Sequence, residues 1–336
     1  MDNFRKPLAI GTLTAKNRLM MPALATGTGD EDGSVTEATL EHYAERARGG
    51  YLGIIVTEHC FVSEQGRASL HQLSIASDDK IPGMARLTQT IRQRGTLAFC
   101  QINHAGSAAM NPALAVAPSA VANPAFKGDA LPHALEEREL DGIVEDFAAA
   151  AVRVRQAGFD GVQIHSAHGY LLNQFYSPLT NKRADLYGPQ SIENRLRLTL
   201  RIIDAVRQAT GPDYPISVRL GGADYLDGGS SIKDAVAAGR LLEQAGIQML
   251  DLSGGMCRYT RPGHSEPGYF SDMSKPVAKA LDIPVAVTGG VTEETDVKLL
   301  LKRKCADLIG VGRALFRNPQ WAQNVIDDPW HRMTGL

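Results

Sequence analysis

The chain has few of the features that mark secreted, membrane-spanning or disulfide-rich proteins. Its 336 residues contain only four cysteines and 6% aromatic residues, and no long apolar run is present. Three of the four cysteines lie in apolar segments where any small hydrophobic side chain would serve equally well. We therefore expect reduced and mostly inert thiols at these positions, which are Cys60, Cys100, Cys257 and Cys305.

Charge of neither sign is in excess. Lys and Arg number 35 against 37 Asp and Glu, which gives a formal net charge of -2, and no basic stripe is interleaved with aromatic residues. This composition argues against nucleic acid as a partner. Residues 1–17 carry several charges and no long apolar run, so we expect neither a signal peptide nor a membrane anchor, and a cytoplasmic location.

Short apolar runs alternate with longer amphipathic stretches, which is typical of repeated βα units around a parallel sheet. Helical patterns follow the runs, for example over 36–48 and 140–157. Barrels of this class routinely place more than about 200 residues in one domain. We therefore predict an α/β fold, a (β/α)8 TIM barrel, as a single domain over 1–336. Its eight strands are expected at about 18–22, 52–58, 97–103, 161–165, 215–220, 249–253, 284–288 and 307–311.

One stretch does not fit this alternation. Residues 104–138 are rich in proline, alanine and glycine, and they are too long for an ordinary βα connection. Active sites of barrel enzymes lie at the carboxyl ends of the strands. We therefore interpret this insertion, which follows the third strand, as a lid over the mouth of the barrel.

The most informative motif is Ile-His-Ser-Ala-His-Gly-Tyr at 164–170. It follows an apolar run typical of a buried strand, so His165, His168 and Tyr170 are expected on the loop that leaves the strand. An isolated histidine pair of this spacing has two other interpretations, namely metal ligands or two hydrogen-bonded loop histidines. A catalytic zinc usually takes about three protein ligands. No HExxH, no CxxC and no third histidine at ligand spacing is present.

The motif continues into Leu-Leu-Asn-Gln-Phe at 171–175 and Ser-Pro-Leu-Thr-Asn-Lys-Arg-Ala-Asp-Leu-Tyr-Gly at 177–188, with Glu-Asn-Arg at 193–195. This region strongly resembles the Old Yellow Enzyme family of flavin-dependent ene-reductases. The resemblance covers nearly the whole chain, from Lys-Asn-Arg at 16–18 to Gly-Arg at 312–313. It implies tightly bound FMN, NADH or NADPH as the reductant, and an activated alkene as the oxidant.

The same resemblance implies that residues at the ends of the first three strands line the isoalloxazine ring, namely Pro22, Ala23, Leu24, Ala25, His59 and Gln101. The amide of Gln101 offers a donor and an acceptor, which matches the amide edge of a flavin; a buried glutamine bonded to backbone is the alternative. The chain departs from the family at two of these positions. Ala23 stands where proline is common, and Ala25 stands where threonine or cysteine commonly touches the flavin carbonyl.

Arg219 lies between Val218 and Leu220 in the fifth strand, and a buried guanidinium is costly without an anionic partner. A fixed cation near N1 and the C2 oxygen of the flavin favours the reduced form, which is the role that the resemblance implies. The alternative is a structural salt bridge to Asp251.

The loops after strands seven and eight carry Thr-Gly-Gly at 288–290 and Gly-Val-Gly-Arg at 310–313. Small residues let backbone amides approach a phosphate, and these loops are the usual phosphate site of the fold. A Rossmann interpretation fails, because the glycines follow late strands and no acidic ribose partner is found in a first βα unit. We therefore predict that the phosphate of FMN is held by Gly289, Gly290, Gly312 and Arg313.

These expectations combine into an NAD(P)H-dependent flavin oxidoreductase that reduces activated alkenes of unsaturated carbonyl or nitro compounds. By the resemblance, the nicotinamide reduces FMN and leaves before the oxidant enters the same pocket, in ping-pong order. His165 and His168 would donate to the substrate oxygen as flavin N5 delivers hydride to the β-carbon, and Tyr170 would protonate the α-carbon. The expected partners are small molecules, with no metal, nucleic acid or membrane, and a homo-oligomer is left open.

The residues alone also leave two other functions open. The first is a non-redox TIM-barrel enzyme that holds a phosphorylated substrate in the same glycine-rich loops and uses His165 and His168 as acid and base or as metal ligands. The second is a flavoprotein whose physiological oxidant is not an alkene. Bound flavin would distinguish the first alternative from the main prediction.

Overall fold

The barrel predicted from the sequence is present. In the computed structural model, which describes residues 4–128 and 130–327, eight parallel strands close into a barrel. Each predicted run overlaps its strand, and no boundary differs by more than three residues. In order around the barrel the strands are β1 (Leu19–Met21), β2 (Ile54–Phe61), β3 (Leu97–Asn103), β4 (Gly161–Ser166), β5 (Ile216–Ala223), β6 (Met249–Gly254), β7 (Val285–Thr288) and β8 (Leu308–Gly310), which pairs with β1.

Ten α-helices lie within the described residues. The helices predicted over 36–48 and 140–157 are confirmed to within one residue at each end. One short helix beyond the expected pattern directly follows the histidine motif. None of the helices in the described part of the chain is long and apolar enough to cross a membrane. The helices are α1 (Glu37–Ala47), α2 (Ile81–Arg92), α3 (Glu139–Gln156), α4 (Leu171–Tyr176), α5 (Ile192–Thr210), α6 (Ile232–Gln244), α7 (Ser271–Ala280), α8 (Glu294–Lys302), α9 (Arg313–Arg317) and α10 (Trp321–Ile326).

The interior of the barrel changes from apolar to polar along the strands. Phe99 on β3 and Met249 on β6 belong to an apolar cluster that fills the barrel. Side chains alternate between the two faces of a strand, so Gln101 and Asp251, two residues further on, share the faces of Phe99 and Met249. Both are buried and polar. The polar half therefore lies towards the carboxyl ends of the strands, where barrel enzymes place their chemistry.

A short antiparallel hairpin, Leu8–Ile10 paired with Leu13–Ala15, packs against the apolar half of the barrel interior. Ile10 and Ala15 are fully buried in the same cluster as Met20 of β1. The sequence patterns did not indicate this hairpin, because strands of three residues are too short to show a period of two. The hairpin closes the end of the barrel opposite the polar residues.

The insertion after β3 contains two single-turn helices and a short parallel strand pair, Val116–Ala117 with His133–Ala134. Nδ2 of Asn123 donates to the carbonyl oxygen of Gly169 over 2.8 Å. The ring of Phe126 lies 5.6 Å from the ring of Tyr170, measured between centroids. The insertion therefore packs on the histidine motif, and its function as a lid stays a prediction.

Candidate active site

A cavity of about 740 Å³ opens at the carboxyl ends of the barrel strands. This volume lies within the range of about 300–1,000 Å³ that is common for small-molecule sites. All fourteen residues that the sequence predicted as catalytic or cofactor-binding line the cavity, and their individual roles stay predictions. They are Pro22, Ala23, Leu24, Ala25, His59, Gln101, His165, His168, Tyr170, Arg219, Gly289, Gly290, Gly312 and Arg313.

The histidine motif makes a tight turn at the end of β4. His168 has a left-handed backbone conformation with φ of 61°, and Gly169 follows with φ of 77°. The ring of His165 thereby lies 5.0 Å from the ring of His168 and 5.3 Å from that of Tyr170, between centroids. A Cβ atom on Gly169 would collide with Ala125 of the insertion, so a larger residue does not fit. The turn places two imidazoles and a phenol on one wall of the cavity.

Both histidines of the motif are neutral. Burial lowers the pKa of His165 well below its usual value, with further contributions from His168 and Arg219. Burial and then Arg219 lower the pKa of His168 in the same way. Nε2 of His168 lies 2.7 Å from Oγ of Ser253 at the end of β6, which leaves its Nδ1 for a ligand. Each neutral ring can donate one N–H to a bound molecule.

His59, near the end of β2, presents a third imidazole whose tautomer is fixed by Gln72. Oε1 of Gln72 accepts from the N–H of Ala68 over 2.7 Å, and its Nε2 donates to the carbonyl oxygen of His59 over 3.1 Å. The same Nε2 lies 2.8 Å from Nδ1 of His59, so Nδ1 is an acceptor. Burial lowers the pKa of His59 to about 4. The ring is therefore neutral and carries its proton on Nε2.

The loop after β1 is anchored by Glu58. Its carboxylate accepts from the hydroxyl of Thr26 over 2.5 Å and from the backbone N–H of Thr26 over 3.1 Å. Burial raises the pKa of Glu58 to about 7, although both bonds from Thr26 oppose the shift. The Thr26 hydroxyl also lies 2.7 Å from that of Thr28. Thr26 is thus engaged within the loop, while the neighbouring Ala25 lines the cavity.

Arg219 on β5 and Asp251 on β6 form a buried ion pair, with Nε and Oδ2 3.3 Å apart. Nη1 of Arg219 donates to the carbonyl oxygen of Ala23 over 3.1 Å, and the side chain lines the cavity. Burial raises the pKa of Asp251 to about 6, while Arg219 opposes this shift. The salt bridge to Asp251, which the sequence left as an alternative, is therefore present, and Arg219 also lines the cavity.

Gln101 belongs to a row of polar side chains across β3, β4 and β5. Its Nε2 donates to Oε1 of Gln163 over 2.7 Å, and Nε2 of Gln163 donates to Oγ of Ser217 over 3.4 Å. These residues are neighbours in the strand register. The row fixes the orientation of the Gln101 amide and leaves its oxygen and second N–H for a ligand. The bond is to a side-chain amide, not to backbone as the alternative supposed.

A glycine-rich wall is formed by the ends of β7 and β8. Gly290 has φ of 68°, a conformation that favours glycine. A Cβ atom on Gly312 would meet no atom closer than 3.7 Å, so a side chain there would occupy the cavity itself. Oγ1 of Thr288 is buried and has no hydrogen-bond partner within the described residues. Arg313 and Arg317 line the same region, which therefore offers donors and positive charge to an anion.

Comparison with known proteins identifies the family. The model of the NADH:flavin oxidoreductase / NADH oxidase family matches residues 4–328. The chain belongs to this family. It is 36% identical over 310 residues to an NADPH dehydrogenase of Halalkalibacterium halodurans, covering 92% of this chain and 89% of the relative. An NADH oxidase of Thermoanaerobacter brockii is 36% identical over 324 residues; these are 93% of this chain, which spans only 49% of that relative.

Solved structures agree with this assignment. An old yellow enzyme homologue from Zymomonas mobilis superimposes with a TM-score of 0.83 at 28% identity, covering 97% of this chain and 93% of that chain. The protein is therefore a flavin oxidoreductase of the Old Yellow Enzyme family that uses FMN with NADH or NADPH as reductant. The predicted family, fold and cofactors are confirmed. The match favours flavin chemistry over the non-redox alternative.

The residues of this flavin oxidoreductase fit FMN. The unfilled space at Gly312, the unpartnered hydroxyl of Thr288 and the charge of Arg313 suit a phosphate group. The free edge of the Gln101 amide suits the polar edge of the isoalloxazine, and Arg219 suits the negative charge of its reduced form. These five residues would hold the cofactor.

Several cavity residues of the flavin oxidoreductase were not identified from the sequence. Ser253 lies at the end of β6, so the same strand-end rule could have identified it. Arg258, Tyr259 and Tyr269 lie in the loop after β6, for whose path the sequence has no signal. The remaining cavity residues that were missed are Ser265, Val291, Thr292, Ala314 and Arg317, whereas Thr288 and Gly310 belong to the two glycine-rich motifs that the sequence indicated.

Proposed function

We propose that the protein reduces activated carbon–carbon double bonds of α,β-unsaturated carbonyl or nitro compounds, with NADH or NADPH as the electron source. The observation that carries the proposal is the cavity wall on which two neutral imidazoles, His165 and His168, lie beside the phenol of Tyr170. FMN, when bound, supplies the hydride transfer that couples the nicotinamide to the alkene.

His165 and His168 bind the oxygen of the substrate. Because both rings are neutral, each donates one N–H to a carbonyl or nitro oxygen without adding a positive charge. Ser253 orients His168 through the contact of 2.7 Å at Nε2. Hydrogen bonds that strengthen as negative charge develops on the substrate oxygen lower the barrier to addition at the β-carbon. The two histidines thereby both orient and polarise the alkene.

Tyr170 supplies the proton for the α-carbon. Burial raises the pKa of its phenol, although the charge of Arg258 opposes the shift, so the hydroxyl stays protonated at neutral pH. Its ring lies 5.3 Å from the rings of both His165 and His59. Hydride at the β-carbon and a proton at the α-carbon together complete a two-electron reduction of the double bond.

The two substrates use the same cavity wall in this proposal, so the reaction follows ping-pong order. The oxidised nicotinamide leaves before the alkene enters. Residues 104–138 act as the lid of the single domain, because Phe126 packs on Tyr170 and Asn123 bonds to Gly169. A lid in this position keeps water away from the reacting atoms.

Anaerobic half-reactions test the proposal. The FMN-loaded protein is reduced by NADH or by NADPH, and the reduced protein is then mixed with cyclohex-2-enone or a nitroalkene. We expect reoxidation that depends on the alkene, with formation of the saturated product. Reduction by a nicotinamide followed by no reoxidation with any enone or nitroalkene would mean that the physiological oxidant is not an alkene.

A further inference from the structure

Arg258 lies in the loop after β6 and lines the cavity. Its backbone is left-handed, with φ of 62°, which is uncommon for a residue other than glycine. Its guanidinium lies 4.6 Å from the ring centroid of Phe126 and 5.3 Å from that of Tyr259. Phe126 comes from the insertion and itself packs on Tyr170. The loop and the insertion therefore hold Arg258 beside the proposed proton donor.

Arg258 has no counter-ion within residues 4–128 and 130–327. Its Nε is buried without a hydrogen-bond partner there, and no carboxylate of that part of the chain pairs with the guanidinium. Arg261, three residues on, pairs with Asp272 over 3.1 Å instead. The Arg258 side chain is half-buried. Contact with aromatic rings replaces only part of the water that its guanidinium has lost, and the buried Nε is costly to leave without an acceptor. A bound ligand would supply the missing acceptor.

Arg258 lies next to the groups proposed to handle the substrate, because its guanidinium packs on the rings of Phe126 and Tyr259, which contact Tyr170 and His168 respectively. It contributes, after burial and Arg219, to the low pKa of both His59 and His168. It also opposes the burial that raises the pKa of Tyr170. The region beside the glycine-rich loops has cations of its own, which are Arg313 and Arg317.

His59 adds a donor to the same region without adding charge. Its ring lies 5.3 Å from the ring of Tyr170, and Gln72 restricts its proton to Nε2. The surroundings of Tyr170 thus combine one unpaired cation with a neutral donor. No carboxylate of the described residues contributes to the pKa of Tyr170 or of His59. An excess of positive charge and donors in a partly closed cavity favours an anion.

We propose that Arg258 binds a carboxylate of the oxidising substrate, so that the preferred alkenes carry a negatively charged group besides the oxygen that His165 and His168 hold. This inference rests on the proposed function. The planar guanidinium can bind a carboxylate through two parallel hydrogen bonds, and it can equally bind a phosphate. The phosphates of the nicotinamide are therefore the other source of the same chemistry, and the experiment separates the two.

Binding of matched phenols tests the anion site. The probes are 3- and 4-hydroxybenzoate and their methyl esters, which keep the phenol for His165 and His168 and differ in charge. We expect the FMN-loaded protein to bind at least one of the benzoates about tenfold or more tightly than its ester at low salt, with a preference that falls as salt is added. Arg258→Met should bring the ratio of the two dissociation constants close to one, and Arg258→Lys should retain part of the preference.

Phe126→Leu is the matched control, because it removes one of the two aromatic contacts of the guanidinium and keeps the charge. It should retain most of the preference for the benzoate. Equal affinity for benzoate and ester in the parent, or an equal preference in the parent and in Arg258→Met, would overturn the proposal. These binding measurements do not depend on turnover. A protein that reduces no alkene would therefore contradict the proposed function without deciding whether Arg258 binds an anion.

The half-reactions assign the source of the anion. Reoxidation by cyclohex-2-enone is compared with reoxidation by 4-oxocyclohex-2-ene-1-carboxylate, and reduction is measured with NADH and with NADPH. We expect Arg258→Met to lose the preference for the carboxylate in reoxidation. If the same variant loses affinity only for the nicotinamide, the cation serves the phosphates of the reductant and the proposal is wrong.

Discussion

The carboxylate of Asp251 lies 3.3 Å from the guanidinium of Arg219 with both side chains buried, so Asp251 offsets part of the positive charge that Arg219 brings to the cavity. Arg219 lines the cavity at the position proposed for the flavin. A positive charge there stabilises the electron-rich reduced flavin, and the Asp251 carboxylate offsets part of that charge. If the flavin binds at this position, the difference between these two charges should set its reduction potential.

Arg219→Met should lower the reduction potential of the flavin and weaken FMN binding, whereas Asp251→Asn should raise the potential. The expected shifts are tens of millivolts, since about 1.4 kcal/mol corresponds to roughly 30 mV for a two-electron couple. Spectroelectrochemical titration of the parent and both variants measures them. An Arg219→Met protein that folds, keeps its flavin and titrates at the parent potential would make Arg219 a structural residue.

Glu58→Gln should remove a pH dependence of stability. Burial raises the pKa of Glu58 to about 7 in the folded chain, against about 4.3 in an unfolded chain. Between these values the folded state keeps a proton that the unfolded state releases, so the free energy of unfolding falls as pH rises through this window. The full effect is on the order of 4 kcal/mol, at about 1.4 kcal/mol per pKa unit.

Urea denaturation of the flavin-free protein across this pH window measures the effect. Glu41→Gln, on the exposed side of α1, is the matched control and should keep the slope of the parent. A Glu58→Gln protein whose stability changes with pH as steeply as that of the parent would show that Glu58 ionises normally.

His165→Ala and His168→Ala should each weaken phenol and enone binding while FMN stays bound. Loss of an N–H donor to a phenolate costs on the order of 1.5–3 kcal/mol, and loss of one to a neutral enone costs about 0.5–1.5 kcal/mol. Ser253→Ala keeps the imidazole of His168 and removes its partner at 2.7 Å, so its effect should be smaller. Phenol titration and enone turnover check this, and both quantities at parent values in the two histidine variants would refute the assignment.

The sequence predicted most of the cavity wall because the family resemblance was combined with one geometric rule. Parallel strands bring their carboxyl ends to one edge, so residues such as Gln101 and Arg219 meet there whatever path the loops take. The rule does not apply to residues that lie in the loops beyond the strand ends. Arg258 depends on the path of the loop after β6, and Gln72 reaches His59 from 13 positions along the chain. Their positions follow from tertiary packing, which a local pattern does not encode.

Tyr170→Phe should slow the oxidative half-reaction and leave the reductive half-reaction nearly intact. The phenol is proposed to protonate the α-carbon, and general acid catalysis is typically worth about 100-fold to 10,000-fold. Reduction by the nicotinamide needs no such proton, so it serves as the internal control. Stopped-flow traces in which the reductive step is the slowed one would make Tyr170 a binding residue.

Ala25→Thr should raise the potential of the flavin. A methyl group cannot donate a hydrogen bond, and the hydroxyl of the neighbouring Thr26 is engaged by Glu58 at 2.5 Å. Threonine at position 25 would donate to the flavin carbonyl and stabilise the reduced form more than the oxidised one. A neutral hydrogen bond is worth about 0.5–1.5 kcal/mol, and only its difference between the two redox states counts. The expected shift is therefore up to tens of millivolts.

The higher potential in Ala25→Thr should speed reduction by the nicotinamide and slow hydride delivery to the enone. Ala25→Val is the matched control, because valine has the shape of threonine and lacks its O–H. If only the added bulk at position 25 perturbs the flavin, the reduction potential shifts by the same amount in both variants. A hydrogen bond would instead raise the potential of Ala25→Thr above that of Ala25→Val. Spectroelectrochemical titration of the parent and both variants under one set of conditions decides between them. A well-folded Ala25→Thr protein with a potential at or below that of Ala25→Val would mean that another donor already serves the flavin carbonyl.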